Sequence, residues 1–307
     1  MAYDLDSRLV IGVASSALFD LSESHEVFIT KGEEEYRKYQ EANKSIPLGK
    51  GLAFPFIQRL LSLNDLADSE DPPVEVIVLS RNSPETGLRV MSSVGNYGLG
   101  ISRAVFMEGR SPYKFMPAFH MSLFLSANED DVKKAINLNL PAGQVVTNEI
   151  KSEFDDDNNL RIAFDFDGVL ADDGSERIYR DGSLAEFQEH EVANLGTALN
   201  PGPLRDLLVG LNRLQYLELE RTYIDPSYKK RVYVSLVTAR SAPAHERAIL
   251  SLKEWGVTVN DAFFLGGVEK AKVLGVLNPH IFFDDQKRHF DSVSVPCVHI
   301  PFGVRNE

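Results

Sequence analysis

In the second half of the chain, short apolar runs alternate with longer stretches of helical periodicity. The pattern predicts strand 161–166, a helical region across 184–216, strand 231–237, helix 243–255, strand 262–265 and strand 280–283. Strands that alternate with helices predict an α/β fold, a parallel sheet covered by helices on both faces, with ligands bound at the carboxyl ends of the strands. About sixty residues separate the first two of these strands, too many for a simple crossover, so residues 172–230 are expected to form a helical cap. The polar, acidic stretch 151–159 reads as a linker between a domain at 1–150 and another at 151–307.

The first half repeats this layout. A shift of 151 residues places Ile11 on Ile162, Glu35 on Glu186, Tyr36 on Phe187, Ala42 and Asn43 on Ala193 and Asn194, Gly51 on Gly202, and Leu60 on Leu211. Farther along, a shift of 158 places Arg89 on Arg247, Tyr97 and Gly98 on Trp255 and Gly256, Phe106 on Phe264, Gly109 on Gly267, Lys114 on Lys272, and Phe124 on Phe282. Constant register over long stretches argues for an internal duplication. In that register Ala14, Ser16, Ser80, Ser126 and Ala127 stand where the second half has Asp165, Asp167, Thr238, Asp284 and Asp285. The first half is therefore expected to be non-catalytic.

Composition narrows the possible partners. The 307 residues are 43% hydrophobic and 25% charged, ordinary for globular domains, and long enough for two cores. A net charge of −13 argues against nucleic acid or an anionic membrane as partner, because both need a basic surface. Cys297 is the only cysteine, which rules out an intrachain disulfide and a cysteine-cluster zinc site and fits a reducing compartment. The first residues show no signal-peptide pattern and no apolar run approaches membrane-spanning length, so the expected location is the cytoplasm. Self-association stays open.

The chemistry lies at strand ends. Ile162–Leu170 (IAFDFDGVL) closes an apolar run with two carboxylates, Asp165 and Asp167, on one side of a strand end, where they repel unless a cation or a shared proton intervenes. That pair suits Mg²⁺ and phosphate. The run Val234–Ser241 (VSLVTARS) ends in Thr238, with Ala239 and Arg240 following, Ser241 as the expected N-cap and Pro243 at the helix start; hydroxyl and backbone N–H groups there suit a phosphate dianion. Lys270 or Lys272, after a glycine turn, is placed to neutralise phosphate charge and hold a carboxylate. Ile281–Gln286 (IFFDDQ) supplies Asp284 and Asp285, one of which completes a hard-oxygen ligand set with Asp165 and the Asp167 carbonyl. Phe187 and His190, on the expected cap helix, are weaker candidates for contacting a substrate base. His245, His280, His289 and His299 lack metal-ligand spacing and read as surface or core residues.

The order D-x-D, Thr, Lys, D-D resembles the haloacid dehalogenase (HAD) superfamily of phosphatases. More closely, Leu236–Ala242 (LVTARSA), Phe264–Gly267 (FLGG), Pro279–Gln286 (PHIFFDDQ) and Phe187–Glu191 (FQEHE) resemble the cytosolic 5′-nucleotidase I family, as do Ala14–Asp20 (ASSALFD) and Ala53–Phe56 (AFPF). The resemblance implies a HAD-like Rossmannoid parallel sheet with a helical cap, preceded by a degenerate copy of itself. It also implies Mg²⁺-dependent dephosphorylation of nucleoside 5′-monophosphates such as AMP in the cytosol. By resemblance and residue chemistry together, Asp165 is the nucleophile, forming an aspartyl-phosphate, and Asp167 the acid and then base. Thr238 and Lys270 offset phosphate charge, Phe187, His190, Ala239 and Arg240 bind substrate, and the metal ligands are Asp165, Asp167 and Asp284 or Asp285, preferably Asp285. The family pattern D-G-D-A-V departs from Asp165–Val169 (DFDGV) without removing either aspartate, which bears on base or sugar preference. Two alternatives remain: a HAD phosphatase for a sugar phosphate or other small phosphomonoester, and a nucleotide-binding regulatory protein with residual catalysis.

Overall fold

The computed structural model describes residues 4–68, 70–146 and 157–306. Most of the expected linker lies outside the described residues. The chain divides into two compact units, Met1–Ala135 and Ile136–Glu307, earlier than the expected boundary at residue 150.

The first unit runs β1 (Leu9–Val13), α1 (Ser15–Leu18), β2 (Phe19–Asp20), α2 (Ser22–Ala42), β3 (Gly49–Lys50), α3 (Phe54–Ser62), β4 (Val74–Ser80), α4 (Pro84–Asn96), β5 (Arg103–Phe106), β6 (Leu123–Ser126) and α5 (Glu129–Ile136). Its main strands lie in the order β5-β4-β1-β6, all parallel. β1, β4 and β6 are buried along their whole length, as parallel strands covered on both faces must be.

The second unit runs β7 (Ala142–Val146), β8 (Leu160–Phe164), α6 (Gly174–Asp181), α7 (Leu184–Ala193), α8 (Arg205–Ile224), β9 (Val232–Thr238), α9 (His245–Glu254), β10 (Asp261–Phe264), α10 (Lys270–Leu277), β11 (Ile281–Asp284) and β12 (Cys297–His299). Its strand order is β10-β9-β8-β11-β12-β7, parallel except for the antiparallel β12–β7 pair. Ala163, Val237, Phe282 and Cys297 of the sheet pack with Leu274 of α10 and with Phe290, Val293 and Val295 in one buried cluster. Among the described residues no helix is long and apolar enough to cross a membrane.

The four corresponding strands of the two units pair in the same register. Ile11 faces Val76 and Leu123 as Ile162 faces Val234 and Ile281, and Ile77 faces Arg103 as Ser235 faces Asp261. Side-chain bonds recur as well. Arg89 Nε donates to the Ile46 carbonyl (3.0 Å) and Arg247 Nε to the Thr197 carbonyl (2.9 Å). The Ser93 hydroxyl accepts from Leu48 N (3.0 Å), as that of Ser251 accepts from Leu199 N (2.9 Å). The Tyr97 hydroxyl donates to the Leu48 carbonyl (2.8 Å) and Trp255 Nε1 to that of Leu199 (3.1 Å).

The helical region expected over 184–216 is two helices, α7 and α8, divided at 194–204. Pro201 and Pro203 interrupt the ladder, and Gly202 lies so close to the Ala171 carbonyl that a Cβ there would meet its oxygen at 2.3 Å. Nor does α8 cover the site. Leu207, Leu211, Leu214 and Glu218 form its buried stripe, and Glu218 accepts from the backbone N–H of Arg231 (2.6 Å) and Val232 (3.1 Å) at the start of β9, the end remote from Thr238. Within 172–230, α6 and α7 reach the candidate site, and the turn at 200–204 bonds to the residues that follow β8, Gly202 N–H to the Leu170 carbonyl (2.7 Å) and Leu204 N–H to that of Val169 (2.9 Å).

Candidate active site

The β8 ladder extends one residue past the strand, because Asp165 N–H donates to the Phe283 carbonyl of β11 (2.8 Å); Ala14 N–H donates to Leu125 in the same way, without a carboxylate to present. Asp165 is buried. One carboxylate oxygen accepts from Phe166 N–H (2.7 Å) and the other lies 2.6 Å from Lys270 Nζ. Lys270, the first residue of α10, also donates to Asp284 (2.7 Å) at the end of β11. Lys272 is exposed and, among the described residues, pairs only with Glu269, so Lys270 is the lysine of the site.

Asp284 has further partners: His289 Nδ1 at 2.9 Å and Gln286 N–H at 2.8 Å. Oxygen and nitrogen atoms of Asp165, Asp284 and His289 lie within 4.8 Å of one another. His289 therefore belongs to the site, contrary to its reading as a surface or core histidine. The 3-10 turn Lys287–Phe290 brings it back onto Asp284. Asp285 is also buried, and its Oδ2 has no hydrogen-bond partner among the described residues. The same holds for Oε2 of buried Glu176 on α6, whose other oxygen is held by Arg305 (2.7 Å) and Gln286 (3.1 Å).

Electrostatics follow from this crowding. Burial pushes Asp165 up to about 8, with Lys270 pulling against it and Asp284 adding to it. Burial, then the charges of Asp165 and Glu176, pushes Asp285 up to about 10. Burial alone would lower the Lys270 ammonium, yet Asp165 and Asp284 outweigh it and hold the group above its ordinary value. One lysine thus serves two carboxylates while a third and a fourth have an unpartnered oxygen. Hard oxygen donors with an orphaned buried oxygen among them fit a divalent cation such as Mg²⁺. Asp284 is saturated by Lys270, His289 and Gln286, so Asp285 is the better placed to reach a cation directly.

Gly168 makes this approach possible. It adopts φ +74°, and a Cβ there would stand 2.8 Å from Asp285 Cγ.

Asp167 is clamped. Arg240 donates to both its oxygens, Nε at 2.8 Å and Nη2 at 2.6 Å. The remaining Nη1 of Arg240 bonds to Glu191 of α7 and to the Ala244 carbonyl (3.2 Å). Arg240 was expected to bind substrate, but its guanidinium is committed to these protein groups. Thr238 is buried and its hydroxyl accepts from Arg240 N–H (3.2 Å), whereas Ala239 is exposed at the same turn. Helix α9 starts at His245 rather than Pro243; Ser241 receives the His245 N–H through its carbonyl (3.1 Å), not through its side chain. Phe187 is half-buried with its ring 5.5 Å from the Arg240 guanidinium, and His190, also half-buried, has Nδ1 3.4 Å from Glu191.

Sequence reasoning had not singled out Glu176, His289 or Glu191 as site residues. For Glu191 a signal existed, because the internal repeat places it on Gln40 beside the matched pair Arg89 and Arg247.

Human cytosolic 5′-nucleotidase 1B is 32% identical over an aligned length of 293 residues, with 93% of this chain and 47% of that protein covered, so the chain spans about half the length of this relative. No solved structure matches. A family model described as 5′-nucleotidase matches residues 1–307 from end to end, and the chain accordingly belongs to the 5′-nucleotidase family.

Proposed function

We propose that this protein hydrolyses nucleoside 5′-monophosphates to nucleoside and phosphate, with Asp165 as nucleophile. The observation that carries the reading is the Lys270 ammonium shared between Asp165 and Asp284, beside the unpartnered Oδ2 of Asp285. Mg²⁺ would be held by Asp165, the Asp167 carbonyl and Asp285, with Asp284 behind them, and when bound it supplies positive charge against the phosphoryl oxygens. In the first displacement an Asp165 oxygen forms a bond to phosphorus as the bond to the ribose 5′ oxygen breaks, and Asp167, carrying on one oxygen the proton taken up in the preceding cycle while Arg240 keeps the other oxygen, delivers that proton to the leaving oxygen. In the second, water attacks phosphorus, Asp167 takes its proton, and the Asp165–phosphorus bond breaks. Lys270 and the Phe166 N–H hold the nucleophile in one orientation, and positioning of this kind supplies much of the rate in phosphoryl transfer.

The first unit reads as a non-catalytic copy of the second. Its strand order and registers match, and Ala14, Ser16, Ser126 and Ala127 replace the four aspartates. The name of the human relative supports a cytosolic setting. Phosphate release from a panel of nucleoside monophosphates and sugar phosphates, with Mg²⁺, tests the function. Preference for nucleotides supports it; preference for sugar phosphates would replace the substrate class, and no release from any member would remove the enzymatic reading.

A further inference from the structure

Glu191 is a fully buried carboxylate on α7 that no step above uses. It receives Arg240 Nη1, Arg247 Nη1 (2.8 Å) and the Ser175 hydroxyl (2.6 Å). Burial would raise its protonation range, but Arg240, Ser175 and Arg247 outweigh that and hold it low, so Glu191 stays charged. Arg240 is therefore suspended between two carboxylates, Glu191 on one side and Asp167 on the other.

The first unit provides an internal control. Gln40 occupies the register position of Glu191, is likewise buried, and accepts from Arg89 Nη1 at 3.2 Å, while Ser24 stands at the position of Ser175. The surrounding bonds of Arg89 and Ser93 repeat those of Arg247 and Ser251. A neutral amide thus satisfies the frame. What the first unit lacks is the rest of the chain of contacts: Asn82 stands for Arg240 and Ser16 for Asp167. The charge at position 191 accompanies Arg240 and Asp167, not the fold.

We propose that Glu191 is a positioning residue that fixes the Arg240 fork and, through it, the carboxylate of Asp167. The proposal rests on the reading of Asp167 as the acid that protonates the leaving oxygen. It ties the setting of that acid to α7, the helix that also carries Phe187.

The test is a double-mutant cycle of Glu191→Gln and Arg240→Asn, with kcat/KM measured on AMP and on its analogue with sulfur bridging the 5′ carbon and phosphorus. The thiolate of that analogue leaves without a proton, so only AMP reports the acid. Glu191→Gln is expected to lower kcat/KM on AMP about tenfold, as loss of one charged hydrogen bond would, with a much smaller loss on the analogue. In the Arg240→Asn background it should have no further effect. The double variant reproduces the trio Gln40, Asn82 and Arg89 and should fold; should Glu191→Gln alone not fold, Arg240→Lys, which keeps the charge and loses the fork, must give the same selective loss. Equal losses on both substrates, or an undiminished effect without Arg240, would overturn the proposal. Asp167→Asn separates the two readings. If it too loses equally on both substrates, the acid role falls and the proposal with it; if it is selective while Glu191→Gln is not, the proposal falls alone.

Discussion

Replacing Lys270 with methionine removes the one ammonium that holds two buried carboxylates. Its contacts to Asp165 and Asp284 are 2.6 Å and 2.7 Å, and all three side chains are at most 6% exposed, so solvent screens little of the interaction. Breaking a buried ion pair from one side costs about 3–5 kcal/mol. Two features place the expected loss near the lower bound. Asp284 keeps His289 and the Gln286 N–H, and Asp165, which burial raises while Lys270 pulls it down, is raised further once Lys270 is gone and takes a proton at neutral pH instead of standing unpaired. The loss from Lys270→Met is therefore expected at about 3 kcal/mol in urea unfolding at pH 7 without metal. Lys270→Met with Asp165→Asn should recover part of it, because an amide at position 165 is neutral without the cost of protonating a carboxylate at pH 7. A loss below about 1 kcal/mol, the range of exposed pairs, or a double variant no more stable than the single one, would refute the reasoning.

Two further outcomes follow from the site. Gly168→Ala should cost about 1 kcal/mol of stability for its φ of +74°, and far more in kcat/KM, because the new Cβ would meet the Asp285 carboxylate at 2.8 Å; unchanged turnover of AMP would contradict the role given to Asp285. Because Asp285 is pushed up to about 10, above any unfolded carboxylate, its contribution to metal-free stability is full below the ordinary carboxylate range and is lost as pH rises through about 10. A cation at Asp285 competes with that same proton, so the melting-temperature rise given by Mg²⁺ should be larger at pH 8.5 than at pH 6, and a rise independent of pH would place the cation elsewhere.

Much of this molecule was legible in the sequence, because buried parallel strands are written as apolar runs, and three of them lead directly into Asp165, Thr238 and Asp284 of the candidate site. Strands expected at 161–166, 231–237, 262–265 and 280–283 are Leu160–Phe164, Val232–Thr238, Asp261–Phe264 and Ile281–Asp284. The register shifts between the halves reappear as the strand pairings themselves, since Ile11 and Ile162 meet equivalent partners. Periodicity failed where two helices follow each other closely: α7 and α8 share an apolar rhythm, and only Pro201, Gly202 and Pro203 mark the break. It failed again for charged residues turned inward. Periodicity does not mark Glu191 and Glu176 as buried, because their partners Arg240, Arg247 and Arg305 are distant in sequence. His289 was passed over because metal-ligand spacing looks for a second ligand nearby, whereas this histidine serves Asp284 across a 3-10 turn.

The central claim is that phosphorus is bonded to Asp165 during turnover. The direct measurement is an acid quench within milliseconds of mixing the protein with Mg²⁺ and AMP labelled in its phosphate, followed by mapping of the bound label. The account predicts label on the peptide Ile162–Leu170, at Asp165, which discharges as phosphate on a chase with unlabelled AMP. Phosphate release with no bound label at any time, or label on another residue, would contradict it.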